Sequence, residues 1–323
     1  MEIPFCFLPN FESQSIVTKI DKGTTMRIMV RISILLTGLL ICCTLGWAGL
    51  AGSEVLPNIP TLTKPVEIQL QPYRRGLRGI NVEIGNRQRF FLFDTGGGLT
   101  TISNEVAKQA GFRPYGQLCG YRMSGERLTM PHCGPMAMAV AGLTIHPDAA
   151  VFDIGSVLPK GWPPVDGTLS LHSFRNYPMT LDLANSHLTL ETQQSLKQRI
   201  AKMHELTISI ERATEGRAVD LYIQAQAKRG KLWLLVDSGN IAGMVLAPHA
   251  LHQLGIAPPP DTGGERRLAR IKLNLSGLGS VTTPALVQNL IHDGALDVNM
   301  LEQMVLTVDI VRQRAWARWH NKH

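Results

Sequence analysis

Two short stretches of this chain run an apolar strand into an acid. They are "RFFLFDTGGG", residues 89–98, and "KLWLLVDSGN", residues 231–240. A strand of that composition is normally buried, and a buried carboxylate is costly unless something pairs it or uses it. Two of them can serve each other. Like charges brought close together cannot both ionise easily, so the pair keeps one proton. The ionised member can take a proton from water, and the protonated member can donate to a carbonyl. That is acid–base amide hydrolysis with neither metal nor cofactor. On this reading Asp94 and Asp237 are the candidate catalytic pair. Thr95 and Ser238 supply hydroxyls that can bond backbone across the pair. Gly96 and Gly239 let backbone approach carboxylates where any Cβ would crowd.

The pair needs a scaffold that brings two distant positions together, and the chain repeats itself in a way that would do so. With Asp94 placed over Asp237, "FFLFDTGGGLTTISNEVAKQAGF" lies over "LWLLVDSGNIAGMVLAPHALHQLGI". Each reads as strand, Asp-Thr/Ser-Gly, strand, short helix, Gly. Pro248 suits a first helical turn, and Gly111 and Gly255 suit helix ends. A second block follows in each half, "DGTLSLHSFRNYPMTLDL" from Asp166 and "DGALDVNMLEQMVLTVDI" from Asp293, without a gap. Two blocks in the same order imply duplicated lobes. The strands alternate and are rich in β-branched or aromatic residues, as in "DLYIQAQA" and "IKLNL". The fold class read from this is mainly β, two pseudo-symmetric lobes with short helices.

At these residues the chain resembles the bacterial, retropepsin-like branch of the aspartic proteases, in a fused two-lobe form akin to pepsin. The resemblance spans about residues 75–318. It implies an acid-protease-like fold, an aspartic-type endopeptidase, a peptide or protein substrate, and a monomer, since one chain carries both acids. It also implies a flap hairpin over the cleft. The interval between the two blocks is longer in the first half and holds "CGYRMSGERLTMPHC", so the flap is placed there, with Tyr121 as its aromatic residue. The pattern departs from the family at Ser170 and Asp297, where the resemblance expects Gly, and at Asn240, where a smaller residue is usual. These departures put activity in question. They keep open the alternative of an inactive acid-protease-fold protein serving as an exported binding or scaffold module.

Composition bounds the rest. The chain has 323 residues, 44% hydrophobic and 18% charged, with a net charge of +7. That composition belongs to a globular protein. The basic residues are scattered, and Lys228-Arg229 and Arg266-Arg267 read as solvated loop charge, not as a nucleic-acid surface. No Cys/His spacing suits zinc, no Gly-rich loop suits a nucleotide, and no Gly-X-Ser-X-Gly elbow suits a serine hydrolase. "VDGTL" is not a phosphatase motif, because Pro164 stands where that chemistry needs a carboxylate.

Ile32 to Gly52 carries no charge, follows Arg27 and Arg31, and precedes a polar, Pro-rich stretch. This is the layout of a signal peptide, with Ala51 as a cleavage point and Met26 as an alternative start, or of an uncleaved membrane anchor. Either places the protein outside the cytoplasm, in the periplasm or beyond. Of five cysteines, Cys119 and Cys133 lie beyond this leader. An even pair in an oxidising compartment predicts a disulfide, with two buried thiols as the alternative. The expected divisions are a leader over residues 1–52, a linker over 53–72, a first lobe over 73–192 and a second over 193–323.

Overall fold

Alternation decides where the strands turn their faces. In Asp220–Ala227 the side chains of Leu221, Ile223, Ala225 and Ala227 enter one core, while Tyr222 is buried on the opposite side against Leu235 and Val245. In Arg78–Ile84 the residues Ile80, Val82 and Ile84 are buried in turn. Both faces of the sheets are therefore covered in places, as expected of β lobes folded upon themselves. The computed structural model describes residues 61–260 and 266–320. The leader expected over residues 1–52 lies outside them. Among the described residues no helix is long and apolar enough to cross a membrane.

Three sheets organise the described residues. A ten-stranded sheet builds the first lobe and a seven-stranded sheet the second. At the centre of the first, strand Arg87–Phe93 runs parallel to Gly167–Leu169. At the centre of the second, Gly230–Val236 runs parallel to Gly294–Leu296. In both, the Asp-Gly of the second block does the fastening. Asp166 Oδ2 accepts from the backbone N–H of Phe90 at 2.9 Å, and Asp293 Oδ2 accepts from that of Trp233 at 2.7 Å. Those partners stand at equivalent points before Asp94 and Asp237. The glycine is needed because the neighbouring strand is too close for a side chain. A Cβ at Gly167 would overlap the Thr101 carbonyl, and one at Gly294 would sit 2.5 Å from the Val245 carbonyl oxygen.

A six-stranded sheet joins the lobes. Its central pairing is antiparallel between Met179–Asp182 and Met304–Asp309, with Thr180 opposite Thr307. One strand of this sheet comes from the stretch expected to be linker. Val66–Gln69 pairs with His187–Leu190, burying Ile68, and Leu70 beyond it is buried too. Residues 53–72 are thus not linker throughout, because the alternating "VEIQL" finds an open strand edge to complete. The polar run after Glu191 is also ordered. It forms the helix Gln193–Ile200, started by a capping box between Thr192 and Ser195. Buried Glu191 binds the Thr180 hydroxyl at 2.8 Å and Arg199 at 2.9 Å.

The short helices stand where the sequence puts them. Asn104–Gln109 is capped by the Ser103 side chain, and Pro248–Leu254 begins on Pro248 and ends on left-handed Gly255.

Candidate active site

Each candidate acid stands one residue beyond the end of its strand, Asp94 after Phe93 and Asp237 after Val236. The Asp94 N–H donates to Leu169 O at 3.0 Å, continuing the parallel ladder to the acid itself. The loops that follow meet each other. The Thr95 N–H donates to Ser238 Oγ at 3.0 Å, and the Ser238 N–H donates to Thr95 Oγ1 at 2.9 Å. Each hydroxyl then donates onward into the opposite strand, Thr95 to Val236 O at 2.6 Å and Ser238 to Phe93 O at 3.2 Å. Thr95 and Ser238 are buried, so these four bonds replace water that cannot reach them. This cross-brace sets the separation of the two acids.

The carboxyl groups are hydrogen-bonded to each other. Asp237 is held well above the usual carboxylate range, first by burial and then by the charge of Asp94. Burial also raises Asp94, but hydrogen bonds oppose it, with the N–H groups of Gly96 at 2.9 Å and Gly97 at 3.1 Å donating to its Oδ1. Both carboxyl groups are thus raised, and the pair keeps one shared proton between them. Gly96 and Gly239 permit this approach. A Cβ at Gly239 would lie 2.6 Å from Asp94 Oδ1, and one at Gly96 would overlap the Asp237 carboxyl group.

The pair forms the floor of a cleft of about 710 Å³. Its roof is the hairpin of strands Tyr115–Tyr121 and Arg127–Pro135. The tip crosses to the second lobe, where Met123 O accepts from the Ile291 N–H at 2.9 Å. Tyr121 lines the cleft, but its side chain is 63% exposed. Met123, Leu128 and Met130 complete the apolar underside.

The disulfide is not formed. Cys119 and Cys133 are free thiols. The hairpin register explains it. Cys119 stands opposite Thr129, four positions before Cys133. Four strand residues span about 13 Å, roughly twice the reach of a disulfide. Cys133 instead packs in the main core, and Cys119 Sγ lies 3.0 Å from Arg127 Nε.

The departures from the family pattern have local uses. Asp297 starts the short helix Val298–Leu301 by accepting from the Met300 N–H at 3.2 Å, and Ser170 occupies the equivalent position before Leu171–Phe174. Ser170 is fully buried against Thr100. Asn240 Oδ1 accepts from the Ala242 N–H at 3.0 Å, folding the loop behind the second acid.

One acid in the cleft is not marked by any motif. Asp220 faces Glu211 across a strand pair, and its carboxyl group lies beside Gly98. Burial, then the charges of Glu211 and Asp94, push it up to about 6. Only the pairing of Ile208–Glu211 with Asp220–Ala227 brings it there. Its one trace in the sequence is a charged residue opening an otherwise apolar strand. Behind it, the Tyr222 hydroxyl lies 3.1 Å from His292 Nδ1. Among the described residues no group of His, Cys, Asp and Glu could hold a metal ion.

With this geometry in hand, comparison with known proteins addresses the fold. No family model matches the chain, and no curated protein does. Solved structures do match. Conglutin gamma, a basic 7S globulin from lupine seeds, is 11% identical, with 80% of this chain and 95% of that chain covered and a TM-score of 0.51. Basic 7S globulin from soybean is 10% identical, with 79% and 94% covered and a TM-score of 0.49. The chain thus has a mainly β fold of two pseudo-symmetric, acid-protease-like lobes. The expected membership of a bacterial retropepsin-like family is not upheld, because no family model supports the resemblance and conglutin gamma, which shares the fold, is a lupine seed globulin.

Proposed function

We propose that the chain is an aspartic-type peptide hydrolase. The observation that carries this reading is the hydrogen-bonded pair Asp94–Asp237, braced by Thr95 and Ser238 and opening into a cleft. In this role Asp94 is the base that takes a proton from a water molecule. Asp237 is the acid that donates to the substrate carbonyl as the water attacks. The cleft under the hairpin suits an extended peptide, and one chain supplies both acids without a second copy. Export through the leader belongs to the same proposal.

A second reading has its own support: an acid-protease-fold protein that binds without cleaving. The comparisons favour it over hydrolysis, since the solved neighbours are seed globulins. The side chains at Ser170, Asp297 and Asn240 favour it too. One experiment separates the two readings. Purified protein is incubated with a peptide library from acidic to neutral pH, beside Asp94→Asn and Asp237→Asn. Cleavage by wild type that both variants lose supports hydrolysis. Retention of peptides without cleavage supports binding.

A further inference from the structure

On the far side of residues 212–217 from the cleft lies a separate polar cavity of about 310 Å³. Ala213 and Thr214 of this strap line the cleft, while Arg212, Glu215, Gly216 and Arg217 line the cavity. The strap is held in an unfavourable shape. Thr214 and Glu215 both have left-handed backbone, with φ of 51° and 57°, a conformation that costs about 1 kcal/mol or more for each non-glycine residue. Such strain persists where the surroundings impose it.

The charges in the cavity do not close. Its two carboxylates both face one arginine: Arg217 is ion-paired with Asp148 at 3.0 Å, its Nε making no hydrogen bond, and donates to Glu215 at 2.5 Å. Asp148 is also held by His132. Arg175, half-buried, bonds only the backbone carbonyl of His172, at 3.1 Å. Arg212 has no partner among the described residues. Arg175 is depressed by burial; the charge of Asp148 opposes this and the facing charge of Arg212 adds to it. His172 is only 4% exposed, and its Nδ1 has no hydrogen-bond partner. Burial and the nearby arginines push this histidine down to about 4, so the ring is neutral. The Gly216 backbone also faces the ring. In the tautomer that carries its proton on the other ring nitrogen, Nδ1 is a buried acceptor without a partner, in a cavity whose three arginines outnumber its two carboxylates. A buried acceptor without a donor costs about 1–3 kcal/mol.

We propose that this cavity is a binding site for a phosphate group in its singly protonated form. Its oxygens would take the guanidinium groups of Arg175 and Arg212, which suit phosphate in a two-pronged geometry. Its P–OH would donate to His172 Nδ1. A fully ionised oxyanion lacks that proton, and a neutral ligand lacks the charge. The site is distinct from the aspartate pair but shares the strap with the cleft. The Thr214 hydroxyl reaches Cys119 O of the hairpin at 3.4 Å, so an occupant would tighten strap and hairpin together.

The test uses the full chain at a pH of about 5.5, where a phosphate ester is largely singly protonated and inorganic phosphate is the dihydrogen monoanion, so each still carries a P–OH. Inorganic phosphate is titrated at constant ionic strength against sodium chloride, and the melting temperature is followed. The expected result is a saturable rise of about 2–4 °C. Arg212→Gln, an exposed substitution that does not threaten folding, should lose the rise. Sulfate, which has no proton to give, should produce less than half of it. The nitrogen resonance of His172 Nδ1 should shift with phosphate on the same binding curve. Free phosphoserine in place of the inorganic ion separates the sources, a lower titration midpoint assigning the site to a phosphate ester. A rise equal to that with chloride, one retained in Arg212→Gln, or one matched by sulfate would overturn the proposal. None of these readouts depends on peptide cleavage.

Discussion

The hydroxyls of Thr180 and Thr307 meet at 2.8 Å in the middle of the sheet that joins the lobes. These residues are equivalent in the two sequence blocks, and each faces its own counterpart. Thr95 and Ser238, equivalent in the first block, do the same at the acids. An approximate two-fold axis therefore passes through both contacts. The two acids, the hydroxyls that brace them and the glycines that face them are each generated twice by that axis.

The acids themselves are the first target. Asp94→Asn or Asp237→Asn should lower kcat by at least about a thousandfold, since each leaves the pair without its base or without its shared proton. The change is nearly isosteric, so circular dichroism should be unaltered. Retained turnover in both would assign any activity to another site.

The cross-brace should carry stability as well as position. Thr95→Val strands the Ser238 N–H and the Val236 carbonyl in a buried setting. A loss of about 2–4 kcal/mol in chemical denaturation is expected. A loss below about 0.5 kcal/mol would mean that water replaces the hydroxyl.

Gly239→Ala should abolish turnover by displacing the Asp94 carboxyl group, which the new Cβ would meet at 2.6 Å. Thr95 and Ser238 remain to hold the loops, so the protein should still fold. Near-wild-type kcat in this variant would show that the acids need no such close backbone.

Asp220 should make stability depend on pH. Its folded value of about 6 lies above the ordinary 3.8. Between those values the unfolded chain has released a proton that the folded chain keeps. Wild type therefore loses stability as pH rises through this window and levels off above it. Asp220→Asn should not show this loss. After discounting for partial exposure, the variant should be about 1–2 kcal/mol more stable at pH 7 and equal to wild type near pH 3.5. A difference that grows toward acid would reverse the assignment.

The thiols should differ in reactivity. Cys133 is buried in the core and burial raises its thiol, while Cys119 lies on the hairpin. Without reductant, a thiol reagent should modify Cys119 in the native protein and Cys133 only after unfolding. Neither thiol reacting in denaturant would indicate a disulfide.

Much of the site was legible because its determinants are local and occur twice. An apolar strand, an acid and a glycine identify the Asp94 and Asp237 loops without any knowledge of packing, and Pro248 and Gly255 mark a helix in the same way. The failures involve partners far away in sequence. Val66–Gln69 is a strand only because His187–Leu190 has a free edge. Cys119 and Cys133 look paired until the hairpin register separates them. Asp220 and His172 look like ordinary residues, and tertiary structure alone places each beside charges that alter its chemistry.

The hydrogen bond between Met123 and Ile291 makes the hairpin a latch. A single bond of this kind contributes about 0.5–1.5 kcal/mol net. The latch alone would leave the hairpin open for about 7–30% of the time, so it would cost a ligand about 3- to 14-fold in apparent affinity. What it filters is girth. A slender, unfolded chain can slip beneath a hairpin that lifts at its tip, whereas a folded domain needs the whole arm swung aside. In the proposed role, the site would thus act as a sieve for conformation, admitting loose ends and denatured segments more readily than folded domains.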